Sequence, residues 1–175
     1  YTDTYSFSIM AVSDDHGKTW YASKPVLDYG NIQPAVLQRK DGTVVAYMRE
    51  NGFQDYIRLS ESADDGITWS QVKNSSLPNP GSGLDGVKLA NGHWVLIYND
   101  STRGRNSLAV SLSEDEGRTW RWKRHLEQHE SGSYHYPAII QDANNTIHAI
   151  YTYSVKGGKS MKHAAFNEDW IKEGD

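Results

Sequence analysis

The chain has 175 residues, no cysteine, and 18 Lys plus Arg against 22 Asp plus Glu, for a net charge of −4. That length supports one sizeable core, and the composition excludes a disordered chain, disulfides and thiolate metal sites. With no Lys/Arg run and no apolar stretch near the roughly 20 residues of a spanning helix, neither a nucleic-acid partner nor a membrane partner is expected.

The chain opens at Tyr1 rather than Met, which suggests a processed or cut N-terminus. Localisation stays open, with secreted and periplasmic settings both compatible. The first predicted strand, Phe7 to Ser13, runs into the segment Ser13-Asp14-Asp15-His16-Gly17-Lys18-Thr19-Trp20. Strands are next predicted over Gln33 to Gln38 and Thr43 to Arg49, around a turn at Asp41-Gly42. A third leads into Ser62-Ala63-Asp64-Asp65-Gly66-Ile67-Thr68-Trp69. The same order then recurs. Gly83 to Leu89, the Asn91-Gly92 turn and His93 to Asn99 precede Ser113-Glu114-Asp115-Glu116-Gly117-Arg118-Thr119-Trp120. Tyr136 to Gln141, the Asn144-Asn145 turn and Thr146 to Tyr153 begin a last unit.

The three eight-residue segments share S-x-D-x-G-x-T-W at separations of 49 and 51 residues. A fixed period of this length marks a repeated supersecondary unit. Its residue types describe a hairpin staple. Asp accepts hydrogen bonds from nearby backbone N–H groups, Gly supplies a left-handed backbone, and Thr and Trp start the return strand. Three equivalent copies cannot all lie at one active site, so the motif is structural.

Four strands per period make the blade of a β-propeller. The expected fold is all-β, with residues 1–175 forming one domain in units of about 1–28, 29–79, 80–130 and 131–175. The first unit starts at its third strand, and the last carries a decayed motif at Phe166-Asn167-Glu168-Asp169-Trp170. That is about three and a half blades. Propellers close with roughly four to eight, so either preceding N-terminal blades or a second copy in a homo-oligomer is expected to complete the ring.

These motifs resemble the sialidase superfamily, in particular its bacterial branch with BNR, or Asp-box, repeats. Gly30-Asn31-Ile32-Gln33-Pro34, Tyr98-Asn99 and Ser133-Tyr134-His135-Tyr136-Pro137 carry the resemblance between the boxes. It spans essentially the whole chain, as the C-terminal part of a six-bladed propeller. It implies an exo-glycosidase that releases a terminal acidic sugar from a glycoconjugate, or a related propeller that binds carbohydrate without cleaving it.

In that family three arginines hold the sugar carboxylate, a Tyr activated by a Glu is the nucleophile, and an early Asp is the acid/base. The resemblance places Arg49 and Arg105 at two of the arginine positions and Tyr136 at the nucleophile. The third arginine and the acid/base Asp fall on blades preceding this chain. Gln33 stands nine residues before Gly42, as Tyr136 stands nine before Asn145, with Gly83 equivalent between them. This is the level of the family's Glu, and an amide cannot take a proton from a phenol.

Innermost strands line a propeller's channel, so Gln33, Gly83, Asp85 and Tyr136 are expected to converge. Asp85 is the nearest carboxylate that could replace the missing base. Arg58 is expected in a structural ion pair on a third strand. The seven histidines show no metal-binding spacing, and His135 and His163 read as ordinary strand residues. Gly81-Ser82-Gly83 lacks the Lys and helix of a phosphate loop, so no cofactor is expected.

Overall fold

The structure is a computed structural model that describes residues 6–175. It is an arc of antiparallel sheets, a partial β-propeller. β1 (Ala11–Val12) and β2 (Tyr21–Ala22) form a two-stranded ribbon, extended by a bridge from Ser8 to Val26. β3 (Asn31–Gln38), β4 (Val44–Glu50), β5 (Tyr56–Ser62) and β6 (Lys73–Pro78) form a four-stranded meander. β7 (Asp85–Lys88), β8 (Trp94–Tyr98), β9 (Ser107–Ser113) and β10 (Trp122–Gln128) repeat it. β11 (Ser133–Gln141), β12 (Ile147–Val155) and β13 (Gly158–Phe166) form a last, three-stranded sheet, followed by helix α1 (Glu168–Glu173).

The central strands explain why the arc holds together. β8 is buried along its whole length because a sheet lies against each of its faces. Trp94, Leu96 and Tyr98 pack with Tyr47, Leu59 and Leu77 of the preceding sheet. Val95 and Ile97 pack with Tyr134, Ile139 and Tyr151 of the following one. β4 divides in the same way, with Val45 and Tyr47 on one face and Ala46 and Met48 on the other, against the ribbon side. Two-sided burial replaces the alternation of a half-exposed strand with a continuous apolar run. Each large side chain in such a seam contributes about 1.5–3 kcal/mol.

The three Asp boxes close the outer hairpins with the same Ser, Asp, Gly and Thr bonds. The Ser hydroxyl donates to the Asp carboxylate and accepts the Gly N–H, at 2.8–2.9 Å in all three copies. The Asp then accepts the Thr N–H and hydroxyl, at 2.9 and 2.6 Å for Asp15 and Thr19. Residues before the Gly are left-handed in each copy: His16, Asp65 and Glu116. These bonds favour the ionised carboxylate. The Thr19 hydroxyl and amide hold Asp15 at a pKa of about 2, and Thr68 does the same for Asp64.

The decayed motif at Phe166–Trp170 forms no box. Phe166 ends β13, and Asn167 caps α1 by accepting the Trp170 N–H at 2.9 Å. The segment has no Gly for the left-handed turn, whereas Asn followed by Glu168 and Asp169 is a helix start. α1 docks on the preceding sheet. Ile171 is fully buried there, and the Lys172 ammonium lies 2.8 Å from both Glu114 and Glu168.

Candidate functional site

β3 and β11, the first strands of their sheets, both neighbour β7, and Gly83, just before β7, lies between Gln33 of β3 and Tyr136 of β11. Each flanking strand carries a bulge at the position the sequence singles out. Ile32 pairs Arg49 and Pro34 pairs Met48, leaving Gln33 out of the ladder. His135 pairs Thr152 and Ala138 pairs Ile150, so Tyr136 and Pro137 together oppose Tyr151. Gln33 and Tyr136 are left-handed, with φ of 51° and 47°. The following prolines have no N–H to offer a ladder, which suits them to a bulge.

Gly83 sits between these two residues. A methyl group there would stand 3.2 Å from Tyr136 Cδ1 and 3.8 Å from Gln33 Oε1. The Tyr136 ring therefore occupies space that any larger residue would contest, and it remains 58% exposed. Among the described residues, no side chain hydrogen-bonds its phenol. Arg49 joins the cluster from the end of β4, donating from Nη1 to Gln33 Oε1 at 3.2 Å. Its neighbour Glu50 turns away and accepts the Gly52 N–H, so the two do not pair.

Arg105 is placed by a separate set of contacts. Buried Asn99 donates Nδ2 to the Arg105, Ser107 and Tyr134 carbonyls at 3.4, 3.0 and 3.3 Å, and Tyr134 N–H donates to the Arg105 carbonyl at 2.7 Å. The guanidinium then donates from Nη2 to the Gly81 carbonyl at 3.0 Å and from Nη1 to His135 Nδ1 at 2.7 Å. Asn79 builds the loop that presents Gly81, accepting the Gly81 and Ser82 N–H groups at 3.0 Å. Sequence reasoning missed the parts of Asn79 and His135. The signal for Asn79 was its place before Pro80-Gly81-Ser82-Gly83, where Asx turns are common.

Asp85 has a different task from Gln33, Gly83 and Tyr136. One carboxylate oxygen accepts the Gly86 N–H and the other the Ile139 N–H, both at 2.9 Å. It ties β7 to β11. Arg58 is 5% exposed and ion-paired with Asp28, and it also donates to Asn74 Oδ1. His163 stacks on His148 on the outer part of the last sheet, away from this cluster.

The arrangement has one electrostatic theme. Both arginines are held by neutral acceptors: an amide oxygen, a carbonyl and an imidazole nitrogen. Among the described residues no carboxylate pairs with either guanidinium, so the arginines are suited to an anionic ligand that can be gripped bidentately.

The model of the BNR repeat-like domain matches residues 3–149. The chain belongs to this family. It is 24% identical to a sialidase of Micromonospora viridifaciens over 94% of its own length, but that match spans 26% of the relative. Among solved structures, the NanB sialidase of Streptococcus pneumoniae superposes with a TM-score of 0.78 at 21% identity, over 96% of this chain and 28% of that one. The intramolecular trans-sialidase of Ruminococcus gnavus gives 0.76 at 20% identity, over 93% and 38%. An α-L-arabinanase of Penicillium chrysogenum gives 0.59 at 16%, over 78% and 46%. The BNR fold is thus that of glycoside hydrolases of the sialidase and arabinanase kind, and this chain spans less than half of each of these relatives.

Proposed function

We propose that this chain carries part of the sugar site of a sialidase-like exo-glycosidase acting on a terminal acidic sugar, sialic acid or a close analogue, in a glycoconjugate. The observation that carries the reading is the meeting of Gln33, Gly83 and Tyr136 at one level, with Arg49 attached and, among the described residues, paired with no carboxylate. Arg49 and Arg105 hold the carboxylate, which sets the anomeric carbon against Tyr136. The Tyr136 oxygen bonds to that carbon as the glycosidic C–O bond breaks, and the leaving oxygen takes a proton from an acid outside this arc. Water then displaces the tyrosine, giving net retention.

The phenol proton needs an acceptor. Gln33 cannot be one, and both Asp85 oxygens already accept amide N–H groups. In this reading the acceptor, the acid/base and the remaining arginine come from blades that complete the ring. The Gln33 amide favours a second reading, a propeller that binds acidic sugars without cleaving them.

Hydrolysis of a fluorogenic α-sialoside and of a panel of uronic-acid glycosides by the complete propeller separates the two. The glycosidase reading expects turnover of one of them, with Tyr136→Phe slowing it at least about 10³-fold while melting unchanged. Sugar binding without release of any aglycone would instead establish the binding propeller.

A further inference from the structure

The hydrogen-bond chemistry of Arg105 fixes the state of its neighbour. A guanidinium has only donors, so the His135 Nδ1 lying 2.7 Å from Nη1 must accept and carries no proton. The proton is then on Nε2, which donates to Ser133 Oγ at 2.7 Å. His135 is a neutral imidazole in one defined tautomer, wedged between Arg105 and the start of β11.

We infer that His135 is the positioning residue for Arg105, and that its protonation releases the guanidinium and weakens the grip on an anionic sugar at acid pH. Together with the Gly81 carbonyl it uses two of the five guanidinium N–H groups, leaving three for a ligand. A proton on Nδ1 would set N–H against N–H and cation against cation across the same contact. Arg105 would keep only its Gly81 bond and would lose its aim.

The charged and titratable groups facing His135 are Arg105 from the loop before β9, Lys159 from β13 and Tyr136 beside it, with its ring centroid 6.3 Å away. Thr152, its cross-strand partner on β12, is uncharged. Burial first, then Arg105 and Lys159, push the His135 pKa below its ordinary value. The neutral form therefore dominates at neutral pH, and the transition falls on the acid side of about 6.5.

The inference rests on the acidic-sugar reading above, and it runs against the simpler electrostatic expectation. A protonated histidine that merely added charge would tighten anion binding on acidification. A positioning histidine loosens it.

The experiment is titration of the complete propeller with N-acetylneuraminic acid, whose carboxylate stays ionised throughout, at about pH 7.5 and about pH 5. The unmodified protein should lose roughly fivefold to tenfold in affinity at the lower pH. His135→Asn keeps an acceptor that cannot titrate, and should bind at both pH values within about twofold of the unmodified protein's affinity at about pH 7.5. His135→Ala should bind roughly tenfold more weakly already at the higher pH. Affinity that rises on acidification, or a His135→Asn variant with the parent's pH profile, overturns the inference. Arg105→Ala keeps the two levels apart. If it abolishes binding while His135→Ala does not weaken it, Arg105 grips the sugar without help from His135. If it binds as the parent does, the carboxylate role of Arg105 falls and this inference falls with it.

Discussion

The outer and inner ends of the blades obey different rules. At the outer end Ser13, Ser62 and Ser113 make the same bond to the same glycine, and each Asp makes the same pair of bonds to its Thr. At the inner end the equivalent positions hold Gln33, Gly83 and Tyr136. Each box closes its own hairpin and faces the same local problem, so one solution repeats. The inner ends share a single space, where Gly83 makes room between Gln33 and the Tyr136 ring. Repetition marks what each blade does alone, and divergence marks what the blades do together.

The sameness of the boxes breaks first at Gly117. A methyl group there would stand 2.2 Å from the Tyr47 hydroxyl and 2.8 Å from the Trp94 ring, in a left-handed backbone. Gly17 has only the Trp20 ring at 3.4 Å. Gly117→Ala is expected to cost about 3 kcal/mol and Gly17→Ala about 1 kcal/mol in denaturant unfolding. Equal costs would mean that the third box does not pack on the preceding sheet as described.

A smaller effect tests the inner end. Asp85→Ala leaves the Ile139 N–H without its partner and should destabilise by about 1.5 kcal/mol. Asp85→Asn keeps one acceptor, so it should retain most of the stability and any turnover. A collapse of turnover in Asp85→Asn, with the fold intact, would return Asp85 to the reacting groups.

The smallest effect is in acid. The pKa of Asp15 and Asp64 is about 2 when folded, below the ordinary carboxylate value near 3.9. Their stabilisation is present above about pH 4 and is lost as pH falls through about 2. Melting temperature should drop across that window, and Asp64→Asn should flatten part of the drop while lowering the melting temperature at neutral pH.

Much of this was legible in sequence because local chemistry decides it. The S-x-D-x-G-x-T-W spacing dictates a hairpin wherever it occurs, and the nine-residue spacing from Gln33 to Gly42 and Tyr136 to Asn145 carried the inner level through bulges that no propensity reveals. What stayed hidden depends on partners distant in sequence. Asp85 read either as a replacement base or as a hydrogen-bonding residue before Gly86, and its bond to the Ile139 amide, 54 residues on, was not visible. His135 looked like an ordinary strand residue because its contact comes from a loop 30 residues earlier. At Phe166–Trp170 the sequence showed the decay of the motif but not the helix that replaces it, although the capping chemistry of Asn167 was visible all along.

The left-handed backbone at Tyr136 has a thermodynamic consequence of its own. A tyrosine pays about 1 kcal/mol for that conformation, and glycine would adopt it freely. A sequence selected for durability alone would place glycine there, and a Tyr136→Gly chain would relax its backbone while losing its phenol. The fold thus keeps a small reserve of tension at the residue proposed as the nucleophile, as strained backbone positions at functional sites do.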